Sequence, residues 1–118
     1  MVKPVICFIA CVLSICSALA FNNDFLSKQC ESKNGHACWR LATAFRNEGK
    51  EAMAFGKYKE SCSYGYAPGC YEEGNSYFYG QLGQKIDLNK AKSTFKKGCD
   101  LGNEMNCLSL KDVELKLK

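Results

Sequence analysis

Past residue 20, apolar positions recur at intervals of three and four, in short runs that glycines punctuate. That spacing lays one side of an α-helix against a core. Residues 22–32 carry Phe25, Leu26 and Cys30 in this register, and Asn34-Gly35 closes the run. Residues 37–47 carry Cys38, Leu41, Ala42 and Phe45 at i, i+3, i+4 and i+7, followed by Gly49. A third helix is predicted over 51–63, with Ala54, Phe55, Tyr58 and Cys62 on one side; Gly65 and Pro68-Gly69 mark the next turn. A fourth is predicted over 70–79, with Cys70, Gly74, Tyr77 and Phe78 inward. After a longer connection over 80–86, Asp87 reads as the N-cap of a fifth helix, 88–100, whose inner face holds Ala91, Phe95, Gly98 and Cys99. Residues 101–103 form the last turn. A final helix begins near Glu104 with Cys107, Leu108 and Lys111. The tail 113–118 alternates apolar and charged residues as a strand would; it is expected to end as a fraying helical cap.

Short helices joined by short turns pack as antiparallel hairpins, and one hairpin leaves an apolar face that only a neighbour can cover. The fold expected is therefore all-α, an α/α solenoid built from stacked hairpins. The cysteines carry the same period. Cys30 and Cys38, Cys62 and Cys70, and Cys99 and Cys107 are each spaced C-x7-C. Such a returning spacing marks a repeat. The interval from Cys30 to Cys62 is 32 residues and from Cys62 to Cys99 it is 37. The extra residues fall in the 80–86 connection.

The first 20 residues read as a signal peptide: Lys3, an apolar run from Val5 to Ile15, and the small-x-small site Ala18-Leu19-Ala20. The run is short for a membrane span. A lipoprotein signal would use Cys16, but Ile15 is a poor neighbour for it; an uncleaved anchor is the other alternative. Cleavage would remove one lysine and three of the nine cysteines (Cys7, Cys11, Cys16), leaving residues 21–118 with six cysteines. An even count in a short exported chain predicts a disulfide framework, here three local bridges, Cys30–Cys38, Cys62–Cys70 and Cys99–Cys107. Each closes a loop of about nine residues and removes roughly 2.6 kcal/mol of unfolded-state entropy in the chain-entropy model.

Other chemistry is sparse. Zinc sites pair cysteines two to four residues apart, often with histidines, whereas these pairs are wider and His36 is the single histidine. No metal and no cofactor are expected. The charge balance, +4 for the whole chain, is mild, and opposite charges are interspersed, as in Lys57-Tyr58-Lys59-Glu60. That argues against nucleic acid as a partner. No membrane association is expected after signal removal, and the destination is secreted or periplasmic.

The stretch from Cys70 to Cys107 is more specific. It places Gly74, Tyr77, Gly80, Gly83, Asp87, Lys90-Ala91, Phe95, Lys97-Gly98-Cys99, Gly102 and Cys107 in one order. This resembles a Sel-1-like repeat, in the cysteine-rich version of secreted bacterial proteins, the Hcp type. The unit from Cys38 to Cys70 keeps the cysteines, Leu41, Phe45, Gly49, Tyr58 and Gly65 but lacks the Asp-x-x-Lys-Ala element, and the first unit departs most. The resemblance implies a tetratricopeptide-like superhelix with one disulfide per repeat. In that frame Gly74, Gly98 and Ala91 permit close helix approach, Tyr77, Phe78 and Phe95 fill the space between units, and Trp39 is a core or interface residue.

Two functional classes follow. Repeat superhelices present a groove that holds a protein or peptide segment; Tyr64, Tyr66, Tyr71, Tyr77 and Tyr79 are divided between packing and such a groove. The alternative comes from the resemblance, which implies penicillin binding or weak β-lactamase activity. Ser93-Thr94-Phe95-Lys96 also fits S-x-x-K, where a serine nucleophile lies one helical turn from an activating lysine. Ala91, Phe95 and Cys99 fix the buried face of that helix, which sends Ser93 and Lys96 to solvent without a pocket, and no Ser-Asp-Asn or Lys-Thr-Gly partner exists. No catalytic residue is therefore assigned. A thiol oxidoreductase would want C-x-x-C and a free thiolate, which this pairing does not leave.

Overall fold

The computed structural model describes residues 22–118, so the predicted signal peptide lies outside the described residues. Six helices follow one another: α1 (22–31), α2 (Gly35–Asn47), α3 (Glu51–Ser63), α4 (Ala67–Tyr79), α5 (Leu88–Asp100) and α6 (Glu104–Leu117). Among the described residues there is no strand. Each helix packs on the next, and α2, α4 and α6 also touch in series, so the fold is an all-α stack of hairpins.

Three of the turns are copies of one another. In each, the residue after the turn donates its N–H to a carbonyl five residues back: Asn34 to Gln29 (3.1 Å), Tyr66 to Ser61 (3.1 Å) and Asn103 to Gly98 (3.2 Å). The residue before it donates to the cysteine carbonyl: Lys33 to Cys30 (2.9 Å), Gly65 to Cys62 (3.0 Å) and Gly102 to Cys99 (2.8 Å). This is the Schellman C-cap, whose central residue must take positive φ. Gly65 (84°) and Gly102 (90°) do so without a Cβ, while Lys33 does so at 68° with one. The residue that closes each turn is also the N-cap of the next helix. Asn34 Oδ1 accepts from Ala37 N–H (3.0 Å) and Asn103 Oδ1 from Asn106 N–H (3.0 Å). One cap thus ends a helix and starts its partner.

Across each of these turns lies a disulfide: Cys30–Cys38, Cys62–Cys70 and Cys99–Cys107, with Cα separations of 4.6, 4.4 and 4.6 Å. The first two are buried and the third is half-buried. Beside them the helices approach until a side chain on one requires a glycine on the other. A Cβ on Gly69 would collide with Ser61, and one on Gly98 with Asn106. Asn106 is fully buried there and donates through Nδ2 to the Ala67 carbonyl (3.0 Å), which ties α6 back to the start of α4.

The core falls into three clusters along the stack. The first joins Leu26, Cys30, Ala37, Cys38 and Leu41. The second joins Ala42, Ala54, Tyr58 and Leu82, with Trp39 against it. The third joins Tyr77, Ala91, Phe95 and Val113. Four residues beyond the second cysteine of each pair, where α2 and α4 meet the following helix, stand Ala42 and Gly74. The Gly74 position is filled by the Phe95 ring. The same register of α6 holds Lys111, and the position three further on, Phe45 or Tyr77 in the earlier helices, holds Glu114. Both are exposed.

Several details differ from the sequence expectation. α2 begins two residues early because Asn34 caps it, and α4 three residues early because Pro68 occupies the first turn, where an N–H has no intrahelical acceptor. The tail continues as helix to Leu117: only Val113 needs burial, so Leu115 and Leu117 face solvent. Phe25, placed inward by spacing, is exposed. The 80–86 connection is more than a spacer. It turns Leu82 down onto Ala42, Ala54 and Tyr58, with φ at 52°.

Candidate functional site

Most polar side chains lie on the outside; Glu73 does not. It is on the inner face of α4, at i+3 from Cys70 and i−4 from Tyr77, and only 8% of its surface is exposed. Aligning the helices on their cysteines sets Glu73 against Leu41 in α2 and Leu110 in α6. A carboxylate therefore stands where the other two repeats carry an apolar side chain. Burial pushes its pKa up from the ordinary 4.5 to about 7, against the opposing pull of Lys59 and Lys97. Neither lysine forms a salt bridge with it; among the described residues the ion pairs lie elsewhere, as between Arg46 and Glu72 at 3.1 Å.

Glu73 lies in a cleft of about 250 Å³ bounded by Lys59, Cys62 and Ser63 of α3 and by Ser93, Thr94 and Lys97 of α5. Its walls are α3 and α5 and its floor is α4. The register explains the opening: an aliphatic side chain at position 73 would pack between α3 and α5, whereas the carboxyl stays beside water. Larger hollows exist, about 460 Å³ beside Phe25 and Lys28, about 560 Å³ between Arg46 and the 80–83 turn, and about 410 Å³ beside Tyr77 and Lys85. None of these three is lined by a buried carboxyl.

Ser93 takes part in this cleft, which corrects the expectation that it had no pocket. Its hydroxyl donates to the Lys90 carbonyl (3.0 Å). Lys96, the lysine of S-x-x-K, points away and pairs with Asp100 at 2.9 Å. The lysine of the same helix that shares the cleft with Ser93 is Lys97, one helical turn on. The S-x-x-K pair is thus not assembled, while Ser93, Lys97 and Glu73 are neighbours.

The aromatic residues divide. Tyr77 is buried edge-to-face on Phe55 at 5.4 Å, and Tyr71 packs toward Phe95. Tyr64 and Tyr79 are exposed. Tyr66 forms a surface trio with His36 (5.1 Å between ring centroids) and Trp39 (6.2 Å). The one grouping of metal-ligand side chains among the described residues is Cys30, Cys38 and Glu60, and there the two sulfurs are bonded to each other. Among these residues no helix is long and apolar enough to cross a membrane. Three disulfides fit an oxidising compartment.

No protein-family model and no curated protein sequence matches the chain.

Proposed function

We propose that this chain is an exported, cysteine-rich repeat module of the Sel-1-like kind, and that it holds a segment of a protein or peptide partner in the cleft across α3, α4 and α5. The observation that carries the reading is Glu73. A buried, unpaired carboxyl at a core-leucine register weakens the fold, and it opens into a cleft with charged walls. A position that sacrifices stability in a cleft is a functional-site candidate. The disulfides make the sacrifice tolerable by constraining the unfolded chain.

The test is selection of binding peptides from a displayed library against the oxidised protein, followed by amide-shift mapping of a synthetic winner. Shifts should centre on Ser63, Glu73, Ser93 and Lys97, and Lys59→Glu with Lys97→Glu should alter binding at least tenfold, while Lys28→Glu does not. Winners that map to other surfaces and ignore the double variant would overturn the assignment.

A second reading, hydrolysis of a β-lactam, is favoured by one observation, the meeting of Ser93, Lys97 and Glu73 in one cleft. It predicts slow nitrocefin turnover that disappears in Ser93→Ala. Turnover equal in both proteins, or in neither, removes it.

A further inference from the structure

The walls and floor of the Glu73 cleft differ in charge, and that difference selects among ligands. Lys59 enters from α3 and Lys97 from α5. They are the two charged groups whose fields act on Glu73; α2 and α6, which also touch α4, contribute none. Ser63, Ser93 and Thr94 add hydroxyls. The carboxyl on the floor has no hydrogen-bond partner or counter-ion at contact distance among the described residues. With Glu73 ionised the cleft carries one net positive charge; with Glu73 protonated it carries two. A lone ammonium ion would meet two like charges at the entrance. A carboxylate would meet two opposite ones, and below them a carboxylic acid able to donate a hydrogen bond.

We propose that the Glu73 cleft is a receptor for a carboxylate, the C-terminus or an acidic side chain of the bound segment, held between Lys59 and Lys97 and hydrogen-bonded by the protonated Glu73 carboxyl. This rests on the binding-module reading and names the group recognised. The chemistry is that of two carboxyl groups sharing one proton, which two adjacent carboxylates require because both cannot ionise together. Binding therefore takes up a proton wherever Glu73 is ionised in the free protein. The bound carboxylate, ionised throughout this range, adds no titration of its own. Only the protonated form accepts the ligand, so raising the pH from 6 to 8 weakens binding by about tenfold for a group that titrates near 7.

Three tetra-alanine probes of equal length separate the alternatives: N-acetylated with a free carboxylate, blocked at both ends, and amidated with a free amine. Each is titrated into the oxidised protein at pH 6 and pH 8 and followed by backbone amide shifts. The acid probe should bind at millimolar concentration at pH 6, shift Ser63, Glu73, Ser93 and Lys97, and weaken about tenfold at pH 8. Glu73→Gln keeps a neutral donor in the same shape; it should retain binding and lose the pH dependence. Lys59→Ala with Lys97→Ala should abolish binding in a protein whose circular dichroism is unchanged. Equal binding of the doubly blocked probe, preference for the amine, a pH dependence that survives in Glu73→Gln, or no cleft shift with the acid probe at tens of millimolar would each overturn the proposal. The selected-peptide experiment is unaffected by these outcomes. A selected peptide that fills the cleft without presenting a carboxylate sinks the carboxylate and keeps the module.

Discussion

Replacing Glu73 by Gln should make the protein more stable, and by an amount that depends on pH. The side chain is buried in the α3–α5 cleft, and its pKa rises from 4.5 to about 7 through desolvation. Below pH 4.5 the carboxyl is protonated in the folded and unfolded states alike and contributes nothing. Between 4.5 and 7 the unfolded chain releases its proton first, so folding is increasingly disfavoured. Above 7 the penalty is complete. The full shift corresponds to roughly 3 kcal/mol. Water at the mouth of the cleft screens part of this, which leaves about 2 kcal/mol. Glutamine matches the neutral acid in shape and polarity, so the variant should equal the wild type near pH 4 and exceed it by about 2 kcal/mol at pH 8. In urea that is a midpoint shift of about 1 M. Urea is preferred to guanidinium because a salt would screen Lys59 and Lys97. A stabilisation of the same size at both pH values would place the effect in packing and refute the electrostatic reasoning. A variant less stable at pH 8 would mean that the carboxylate is paired in solution.

Four further outcomes can be measured. Lys33→Gly should stabilise by about 1 kcal/mol in urea melts, because Lys33 holds the left-handed position that Gly65 and Gly102 hold in the sister turns; no gain would mean that the lysine chain compensates. Gly74→Ala should cost about 1–3 kcal/mol by the same assay, since its methyl meets the Phe95 ring, and Ala91→Arg should cost more, because Ala91 is fully buried; an unchanged midpoint in either would misplace the helix crossing. Under mild reductant Cys99–Cys107, the half-buried bridge, should open before the two buried ones; alkylation followed by peptide mapping reads the order, and simultaneous opening would show that exposure is not what protects them.

The stack of hairpins was legible because its signals are local. Cysteine spacing, glycine punctuation and apolar positions at three and four residues bring α3 and α5 out with the same boundaries in sequence and structure. The starts of α2 and α4 were less so, because Gly35 and Pro68 read as turn residues although both suit a first helical turn. Leu82 could not be foreseen: a leucine in a glycine-rich connection looks like a spacer until the loop folds back on Tyr58. The cleft was hidden for another reason. Glu73 follows Glu72, and two acids in a row read as solvated surface. Only a comparison across repeats, with Leu41 and Leu110 in its register, marks it as a charge in an apolar place. The S-x-x-K spacing pairs Ser93 with Lys96, yet helical geometry gives the cleft Lys97 instead.

Lys111 and Glu114 set a limit on how this architecture can grow. A helix-hairpin stack presents the same seat at its leading end as between its units, and identical copies that dock head to tail through such seats form fibres. On α6 the seat that is alanine or glycine in α2 and α4 is a lysine, and the aromatic that would close over the newcomer is a glutamate. A hairpin arriving there would have to bury a charge without a counter-ion. The same two charges therefore oppose head-to-tail docking of a second copy against this face of α6.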